Sequence, residues 1–380
     1  FSDVRNGTYT LVEKAAPEGY VTDQEPQEFT FEYQGSGTSV AEYAFTFEDE
    51  QTTVELSKAD LTDKKELPGA SLKVTDEDGN TVDEWVSKEE AHIIKGLIVG
   101  KKYKMTETKP VDGYVTAESI EFTVENTKEV QKHQMLDDVT KVEISKKDIT
   151  DSSEVPGAKL IILDKDGKKV ESWTSKDKPH MVEKLPVGEY TLREEQAPDG
   201  YLIAEDVKFT VKDTGKVQKV KMKDAHPYGK LVIKKTDSTS KAALSGAEFE
   251  LREKESGKVV EKLVTDKTGT ATSGKIPIAT YKNGKVEKTV EYILVETKAP
   301  NGYELSSKKE EIRFEYKDGK TKVIEIVKEI KNTKSPSGST PTGNSPKTGD
   351  STNIWLPILL AVLSACGIGG VIWYKKKKGN

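Results

Sequence analysis

The chain has 380 residues, of which 33% are charged and 7% aromatic, and its formal net charge is −6. Because acidic and basic residues are interspersed and the balance is acidic, the composition argues against a nucleic-acid-binding protein. The single cysteine, Cys366, excludes an intramolecular disulfide, although secreted proteins built from small domains usually use them.

A twelve-residue motif recurs four times along the chain. Its copies are YTLVEKAAPEGY from Tyr9, YKMTETKPVDGY from Tyr103, YTLREEQAPDGY from Tyr190 and YILVETKAPNGY from Tyr292. Successive side chains of a strand point to opposite faces, so the glutamate of each copy shares a face with the tyrosine and an apolar residue. The motif therefore predicts four core-facing carboxylates, namely Glu13, Glu107, Glu194 and Glu296.

The same alternation places two further polar residues on core-facing positions of each repeat. One is a lysine that follows two aliphatic residues at alternate positions: Lys58, Lys146 and Lys235. The other is an Asp or Asn two positions after an apolar residue: Asp49, Asp137, Asp224 and Asn332. Every complete repeat is thus predicted to direct one Lys, one Glu and one Asp or Asn inward.

The spacing of these residues divides the chain into whole domains. Lys58 and Lys146 lie 88 positions apart, as do Asp49 and Asp137, a spacing that is too long for a solenoid repeat and suits small β-sandwiches of about 100 residues. Residues 1–52 contain Glu13 and Asp49 but no partner lysine, so we expect them to be the C-terminal part of a truncated domain. Complete domains are predicted at residues 53–139, 140–226 and 227–333, called here the first, second and third repeat.

Short strands account for each predicted domain. Alternating runs such as SLKV and VKFTV are separated by Asp-Gly, Asn-Gly or Ser-Gly turns, which favour antiparallel hairpins. The third repeat has a longer connection, between residues 265 and 291, which we expect to add a hairpin or flap and a contact surface. The predicted fold class is all-β, with tandem β-sandwich domains.

The inward polar residues suggest a condensation reaction. Burying unpaired charges is costly, so a protein normally neutralises, pairs or avoids them. A desolvated lysine loses its proton and becomes a nucleophile toward the side-chain carbonyl carbon of Asp or Asn. The glutamate, kept protonated by apolar surroundings, would transfer a proton to the departing water or ammonia. The product is an intramolecular isopeptide bond, and no cofactor is needed.

Three sequence features resemble a known family. They are the Lys-x-Asp opening of each repeat (KAD, KKD, KTD), the PGA or SGA step, and the Glu-x-x-Ala-Pro-x-Gly-Tyr segment, called here the box. Together they resemble Cna-B or SpaA-type repeat domains of Gram-positive surface proteins and pilins. The second box departs from this pattern, because Pro110 and Val111 stand where the other boxes have Ala and Pro.

The resemblance implies a prealbumin-like, Ig-like β-sandwich whose first and last strands are joined by an isopeptide bond. Transferred to this sequence, it implies three sets of a lysine, a catalytic glutamate and an acyl partner. They are Lys58, Glu107 and Asp137; Lys146, Glu194 and Asp224; and Lys235, Glu296 and Asn332.

A simpler alternative is that these are ordinary strand-end charges, paired across a sheet and half solvated. The same three residue types recur in phase through independent copies, which favours the cross-link.

The C-terminal tail has three parts. Residues 334–344 form a Pro, Gly, Ser and Thr linker, and residues 354–374 form an apolar span long enough for a transmembrane helix, followed by four lysines. Between them lies a motif that resembles an LPxTG-type sortase signal, with Ser in place of Leu. Its residues are Ser345, Pro346, Lys347, Thr348 and Gly349.

The resemblance implies cleavage after Thr348 by a sortase. Thr348 would then be joined to peptidoglycan or to another pilin subunit, and the membrane insertion would be transient. A permanent membrane anchor is the alternative.

The sequence predicts a structural protein on the cell surface of a Gram-positive bacterium. His92 and His180 each lack a second His or Cys nearby, so no metal site is expected. The favoured function is a wall-anchored stalk that presents an adhesive N-terminal region to a host or extracellular-matrix ligand. The alternatives are a sortase-polymerised pilus subunit, and the stalk of a wall-anchored enzyme whose catalytic domain precedes residue 1.

Overall fold

The computed structural model describes residues 4–32, 35–36 and 42–336. These residues form strands, turns and irregular segments without a helix, which confirms the all-β prediction. Within them, no helical segment has the length and apolarity to traverse a bilayer. The sorting motif at 345–349, the apolar span at 354–374 and all but the first three residues of the linker lie outside the described residues.

Residues 4–32 contain one antiparallel hairpin. Its strands are β1 (Gly7–Leu11) and β2 (Gln27–Phe31), with Gly7 opposite Phe31. The ring of Tyr9 stacks on that of Phe29 with centroids 5.8 Å apart, so one face of the hairpin is aromatic.

Each repeat contains its own set of strands. Those of the first are β3 (Thr53–Asp60), β4 (Ser71–Thr75), β5 (Thr81–Val86), β6 (His92–Lys95), β7 (Lys102–Lys109), β8 (Ile120–Thr123) and β9 (Gln131–Asp137). Those of the second are β10 (Lys141–Asp148), β11 (Lys159–Asp164), β12 (Lys169–Thr174), β13 (His180–Glu183), β14 (Gly188–Gln196), β15 (Val207–Val211) and β16 (Val217–Asp224). Those of the third are β17 (Tyr228–Asp237), β18 (Glu248–Glu253), β19 (Val259–Val264), β20 (Thr270–Thr272), β21 (Ile276–Pro277), β22 (Ala279–Lys282), β23 (Lys285–Thr289), β24 (Glu291–Lys298), β25 (Glu310–Arg313) and β26 (Val323–Asn332).

Two sheets face each other in every repeat. The first repeat has sheets of order β6-β3-β9 and β5-β4-β7-β8, and the second has β13-β10-β16 and β12-β11-β14-β15. In the third, β17 pairs with β20, β21 and β26, and the opposite sheet has the order β19-β18-β24-β25. Apolar side chains from both sheets form one core per repeat, as Leu56 and Met105 do in the first. The repeats are therefore tandem β-sandwiches, as predicted.

The first and last strands of each repeat pair in parallel, a feature that the hairpin signals did not predict. β3 pairs with β9, β10 with β16 and β17 with β26. In the first repeat, Lys58 lies opposite Met135 and Asp60 opposite Asp137. Residues two apart on a strand share a face, so this register places Lys58 and Asp137 diagonally on the core side.

Gly229 in β17 offers a test of core packing in the third repeat. A Cβ at this position would lie 2.5 Å from the ring of Phe314, which is fully buried. We expect Gly229→Ala to destabilise the third repeat by about 1–3 kcal/mol, because overpacking forces neighbouring side chains to shift. Faster amide hydrogen exchange throughout the third repeat would report the loss.

The matched control is Gly188→Ala in β14, where the added Cβ would meet only the Tyr190 ring at 3.8 Å. Gly188→Ala should leave exchange in the second repeat unchanged. Exchange in the third repeat of Gly229→Ala that equals the wild-type rate would contradict the packing argument.

Candidate functional site

The three lysines predicted to point inward are buried in the structure. Lys58, Lys146 and Lys235 are 1%, 2% and 0% exposed. A lysine is almost never buried to this extent unless it is paired. The alternative of half-solvated strand-end charges is therefore wrong for all three.

In the first repeat the structure brings Lys58, Glu107 and Asp137 together. Lys58 Nζ contacts Asp137 Oδ1 and lies 2.8 Å from Glu107 Oε1. The second carboxylate oxygen of Asp137 is buried and has no hydrogen-bond partner among the described residues. The amine thus has an acid on one side and an acyl group on the other.

The second repeat has the same arrangement. Lys146 Nζ contacts Asp224 Oδ1 and lies 3.0 Å from Glu194 Oε2. The lysine side chain is 1% exposed and those of the two acids 0%. The first and second repeats therefore hold their Lys, Glu and Asp side chains in the same arrangement, although their sequences differ.

The third repeat contains an amide in place of the carboxylic acid. Lys235 Nζ contacts Asn332 Oδ1 and lies 3.2 Å from Glu296 Oε1. Asn332 Nδ2 donates to Glu296 Oε1 at 3.0 Å, and also to the Glu304 carbonyl oxygen at 3.0 Å. Glu296 therefore bridges the amine and the nitrogen that would leave as ammonia.

A β-bulge and one backbone amide orient the glutamate in each repeat. The strand register shifts beside the residue opposite the glutamate, which is Leu72 in the first repeat, Leu160 in the second and Phe249 in the third. Bulges of this kind redirect side chains next to functional sites. The amides of Ala117, Ala204 and Ser306 donate to Glu107, Glu194 and Glu296 at 2.7, 2.7 and 2.9 Å.

Sequence reasoning missed these amide donors, although each lies ten positions after its glutamate. A backbone N–H can come from any residue except proline, so no residue type marks the donor position.

Burial perturbs the ionisation of the acyl partners. Desolvation raises the pKa of Asp137 to about 6, against the opposing attraction of Lys58. It raises the pKa of Asp224 to about 7, with the neighbouring Glu194 charge adding to the effect. Desolvation also lowers the pKa of Lys235. Burial thus favours a neutral acid in the first two repeats and a neutral amine in the third, and neutral groups are the forms that condense.

The N-terminal segment contains part of this arrangement. Glu13 is half-buried and accepts a hydrogen bond from the Asp23 amide at 2.7 Å, again ten positions later. Asp49 is also half-buried, and its Oδ1 atom has no hydrogen-bond partner among the described residues.

The unusual second box keeps the turn of the others. The Tyr114 amide donates to the Val111 carbonyl at 3.0 Å, and that of Tyr201 donates to the Pro198 carbonyl at 3.1 Å. Gly113 has a φ of 87° and Gly200 one of 89°, so both glycines take the left-handed conformation that this turn requires. The departure at Pro110 and Val111 therefore leaves the backbone of the box unchanged.

The Asp of each Lys-x-Asp opening binds the tyrosine that ends the box of its own repeat. Tyr114 donates to Asp60 at 2.7 Å, Tyr201 to Asp148 at 2.8 Å and Tyr303 to Asp237 at 2.8 Å. Although desolvation opposes it, the hydrogen bonds from Tyr114 and the Thr62 amide lower the pKa of Asp60 to about 2. This pairing ties the opening of each repeat to its box, next to the buried lysine.

Across residues 4–32, 35–36 and 42–336, no group of three or more His, Cys, Asp or Glu side chains is arranged to hold a metal ion.

Comparison with known proteins identifies the family. The model of the SpaA prealbumin-like fold domain matches residues 1–43, 52–138, 140–226 and 229–330. The chain is therefore an array of prealbumin-like domains and belongs to the SpaA family. No curated protein matches the chain at a significant level.

Several solved structures are similar to the chain. The Bacillus anthracis TIE protein is 26% identical with a TM-score of 0.50, and the match covers 83% of this chain and 55% of that one. The chain thus spans about half the length of that protein. BcpA, the major pilin subunit of Bacillus cereus, is 19% identical with a TM-score of 0.44, covering 75% of this chain and 99% of that one. The major pilin SpaD of Corynebacterium diphtheriae is 18% identical with a TM-score of 0.35, covering 75% and 98%.

The raised pKa values predict how pH affects condensation. Asp137 loses its carboxyl proton as pH rises through about 6, and Asp224 loses its own as pH rises through about 7. Only the neutral acid can release its hydroxyl as water, so the rate constant in the first two repeats should fall with rising pH. Asn332 has no such proton, and the lowered pKa of Lys235 makes its neutral amine more abundant as pH rises, so the third repeat should become faster.

The measurement uses chain recovered in urea, refolded between about pH 5 and pH 8 and quenched for intact mass. Variants that retain one of the three glutamates isolate each repeat. The same pH dependence in all three repeats would contradict the assignment of the raised pKa values to the two Asp residues.

Proposed function

We propose that each of the three repeats forms an intramolecular isopeptide bond without an external enzyme. The bonds join Lys58 to Asp137, Lys146 to Asp224 and Lys235 to Asn332. One observation supports this most directly: in every repeat the amine contacts both an acid and an acyl oxygen, and all of these residues are at most 5% exposed.

In the proposed reaction the neutral Nζ attacks the side-chain carbonyl carbon and forms the new C–N bond. The glutamate takes a proton from the nitrogen and passes one to the leaving group. In the first two repeats the carbon–oxygen bond to the hydroxyl breaks and water departs. In the third, the carbon–nitrogen bond of Asn332 breaks and ammonia departs. The product amide is uncharged, which removes the cost of burying ionised groups.

The proposed bond would link the two strands that begin and end each repeat. It closes a loop of 79 residues in the first repeat and 97 in the third. On the chain-entropy model, a cross-link that closes a loop of this size stabilises the folded state by about 4–5 kcal/mol. Tension applied along the chain would pass through the covalent link and would not separate the intervening strands.

We infer that the array is the stalk of a surface protein of a Gram-positive bacterium. A sortase would cleave after Thr348 and join the chain to peptidoglycan, after a transient stay in the membrane. The stalk would hold an adhesive N-terminal region away from the wall, toward a host or matrix ligand. Membership of the SpaA family and the tandem sandwiches support a structural function of this kind.

Intact-mass measurement of the protein tests the cross-links. We expect a deficit equal to two molecules of water and one of ammonia. Glu107→Ala or Glu194→Ala should each restore one water, and Glu296→Ala should restore the ammonia, because each repeat then lacks its proton carrier. Glu107→Gln, Glu194→Gln and Glu296→Gln keep the side-chain size while removing the acid, and should have the same effects.

Glu195→Ala is the matched control, since this glutamate is adjacent to Glu194 but exposed on the opposite face. It should keep the full deficit. An unmodified mass in the wild-type protein would refute the proposed chemistry.

The anchoring proposal is tested on wall fragments released from cells. We expect a single wall-linked species whose C-terminal residue is Thr348, and loss of wall attachment in Thr348→Ala. A ladder of covalent multimers would instead favour the pilus subunit. Retention of the apolar span in the mature protein would contradict sorting and indicate a permanent membrane anchor.

A further inference from the structure

The extra hairpin of the third repeat, β22–β23, packs against the second repeat. The ring of Tyr281 in β22 stacks on that of His226 with centroids 3.5 Å apart and an angle of 3° between the planes. It also meets Tyr201 edge-on at 5.2 Å, and its hydroxyl donates to the Gly200 carbonyl at 2.8 Å. The hairpin therefore contacts the Gly-Tyr end of the box that belongs to the second repeat.

Beneath Tyr281 lies a small apolar cluster that is separate from the cores of both repeats. Its buried members all come from the second repeat: Val155, Ala197 and Tyr201. Tyr281 packs against them, and burial is the largest cause that raises its pKa. The hairpin thus adds an aromatic ring to this cluster, whereas the equivalent cluster of the first repeat contains, among the described residues, no residue of the next repeat.

The tip of the hairpin fits closely against the second repeat. Asn283 and Gly284 have φ values of 52° and 69°, as a two-residue turn requires. A Cβ on Gly284 would lie 1.8 Å from the carbonyl oxygen of Glu154. Only glycine can approach the neighbouring backbone so closely, which fixes the position of the tip.

A second part of the third repeat reinforces this contact. Tyr316 donates to the Tyr201 carbonyl at 3.0 Å, and the Ile203 amide donates to the Gly319 carbonyl at 2.8 Å. Tyr201 is therefore held from both sides, by the hairpin and by the segment after β25.

In the part of the chain that the structure describes, the joint between the first and second repeats has no such hairpin, although it is closely packed at one point, where a Cβ on Gly113 would lie 2.3 Å from the Lys184 carbonyl oxygen. Lys184 donates to the Tyr114 hydroxyl at 2.6 Å and lies 3.5 Å from Asp60, but its side chain is 53% exposed. The other contacts across this joint include the Thr140 amide to the Gly113 carbonyl at 3.0 Å and the Thr116 amide to Asp213 at 2.9 Å. The second repeat joins β13 to β14 directly through residues 184–187, where the third has its hairpin.

We propose that β22–β23 is a docking element that fixes the third repeat on the second, whereas the joint between the first and second repeats is a hinge. Interfaces between domains that bury little apolar surface permit relative motion, and larger apolar interfaces restrain it. The docking surface is an aromatic and apolar site formed by Tyr201, His226 and Val155, and its partner is the hairpin of the next domain. This assignment is independent of the isopeptide bonds.

Distances between spin labels on the full chain test the proposal, with Cys366→Ala as background. Labels at Lys176→Cys and Lys267→Cys span the docked joint, and labels at Lys88→Cys and Lys176→Cys span the proposed hinge; all three positions are exposed. We expect a narrow distance distribution across the docked joint and a broader one across the hinge. Gly284→Val should abolish the narrow distribution, because its side chain meets the Glu154 carbonyl.

Gly257→Val is the matched control, since Gly257 also has a φ of 69° but no atom within 4 Å of its added Cβ. It should leave the distribution narrow. Tyr281→Ala, which removes the stacked ring without straining the backbone, should broaden it as Gly284→Val does. An unchanged distribution in both hairpin variants, or equal widths at the two joints of the wild-type chain, would overturn the proposal.

Discussion

A lysine ammonium and two carboxylates buried together have one negative charge in excess, and a dry sandwich core does not tolerate it. The first two repeats relieve this excess by raising the pKa of one carboxyl, so that Asp137 keeps its proton up to about pH 6 and Asp224 up to about pH 7. The third repeat avoids the excess because Asn332 is neutral, so that among the described residues Glu296 is the one carboxylate beside Lys235. Both solutions leave the amine beside an uncharged acyl group.

The parallel pairing of the first and last strands makes this contact possible. Antiparallel neighbours such as β4 and β7 position the glutamate, but the lysine and its acyl partner belong to β3 and β9, at opposite ends of the repeat. Their register sets the two side chains on one face, and the bulge opposite Leu72 turns Glu107 toward them. The site therefore depends on long-range topology more than on local sequence.

Much of this could be read from the sequence. Period-2 alternation identified the buried face of each strand, and with it Lys58, Glu107 and Asp137, because burial of a polar residue among aliphatic ones is visible in a single strand. The parallel pairing of the first and last strands could not be predicted, since turn residues indicate only how strands adjacent in the sequence pair. The amide donors were also hidden, because a backbone N–H leaves no trace in residue type. The hairpin at residues 279–289 and its use as a contact surface were expected from the long connection, whereas its partners Tyr201 and His226 were not, since they come from another repeat.

The order in which strands pair has a consequence for biogenesis. When the chain emerges with its N-terminus first, one edge of β3 stays unpaired until β9 appears, because the parallel neighbour of β3 is the last strand of the repeat. Sheet completion is therefore vectorial, one repeat after another, and long-range pairing of this kind is slow. Lys58 and Asp137 therefore meet only when their own sandwich closes.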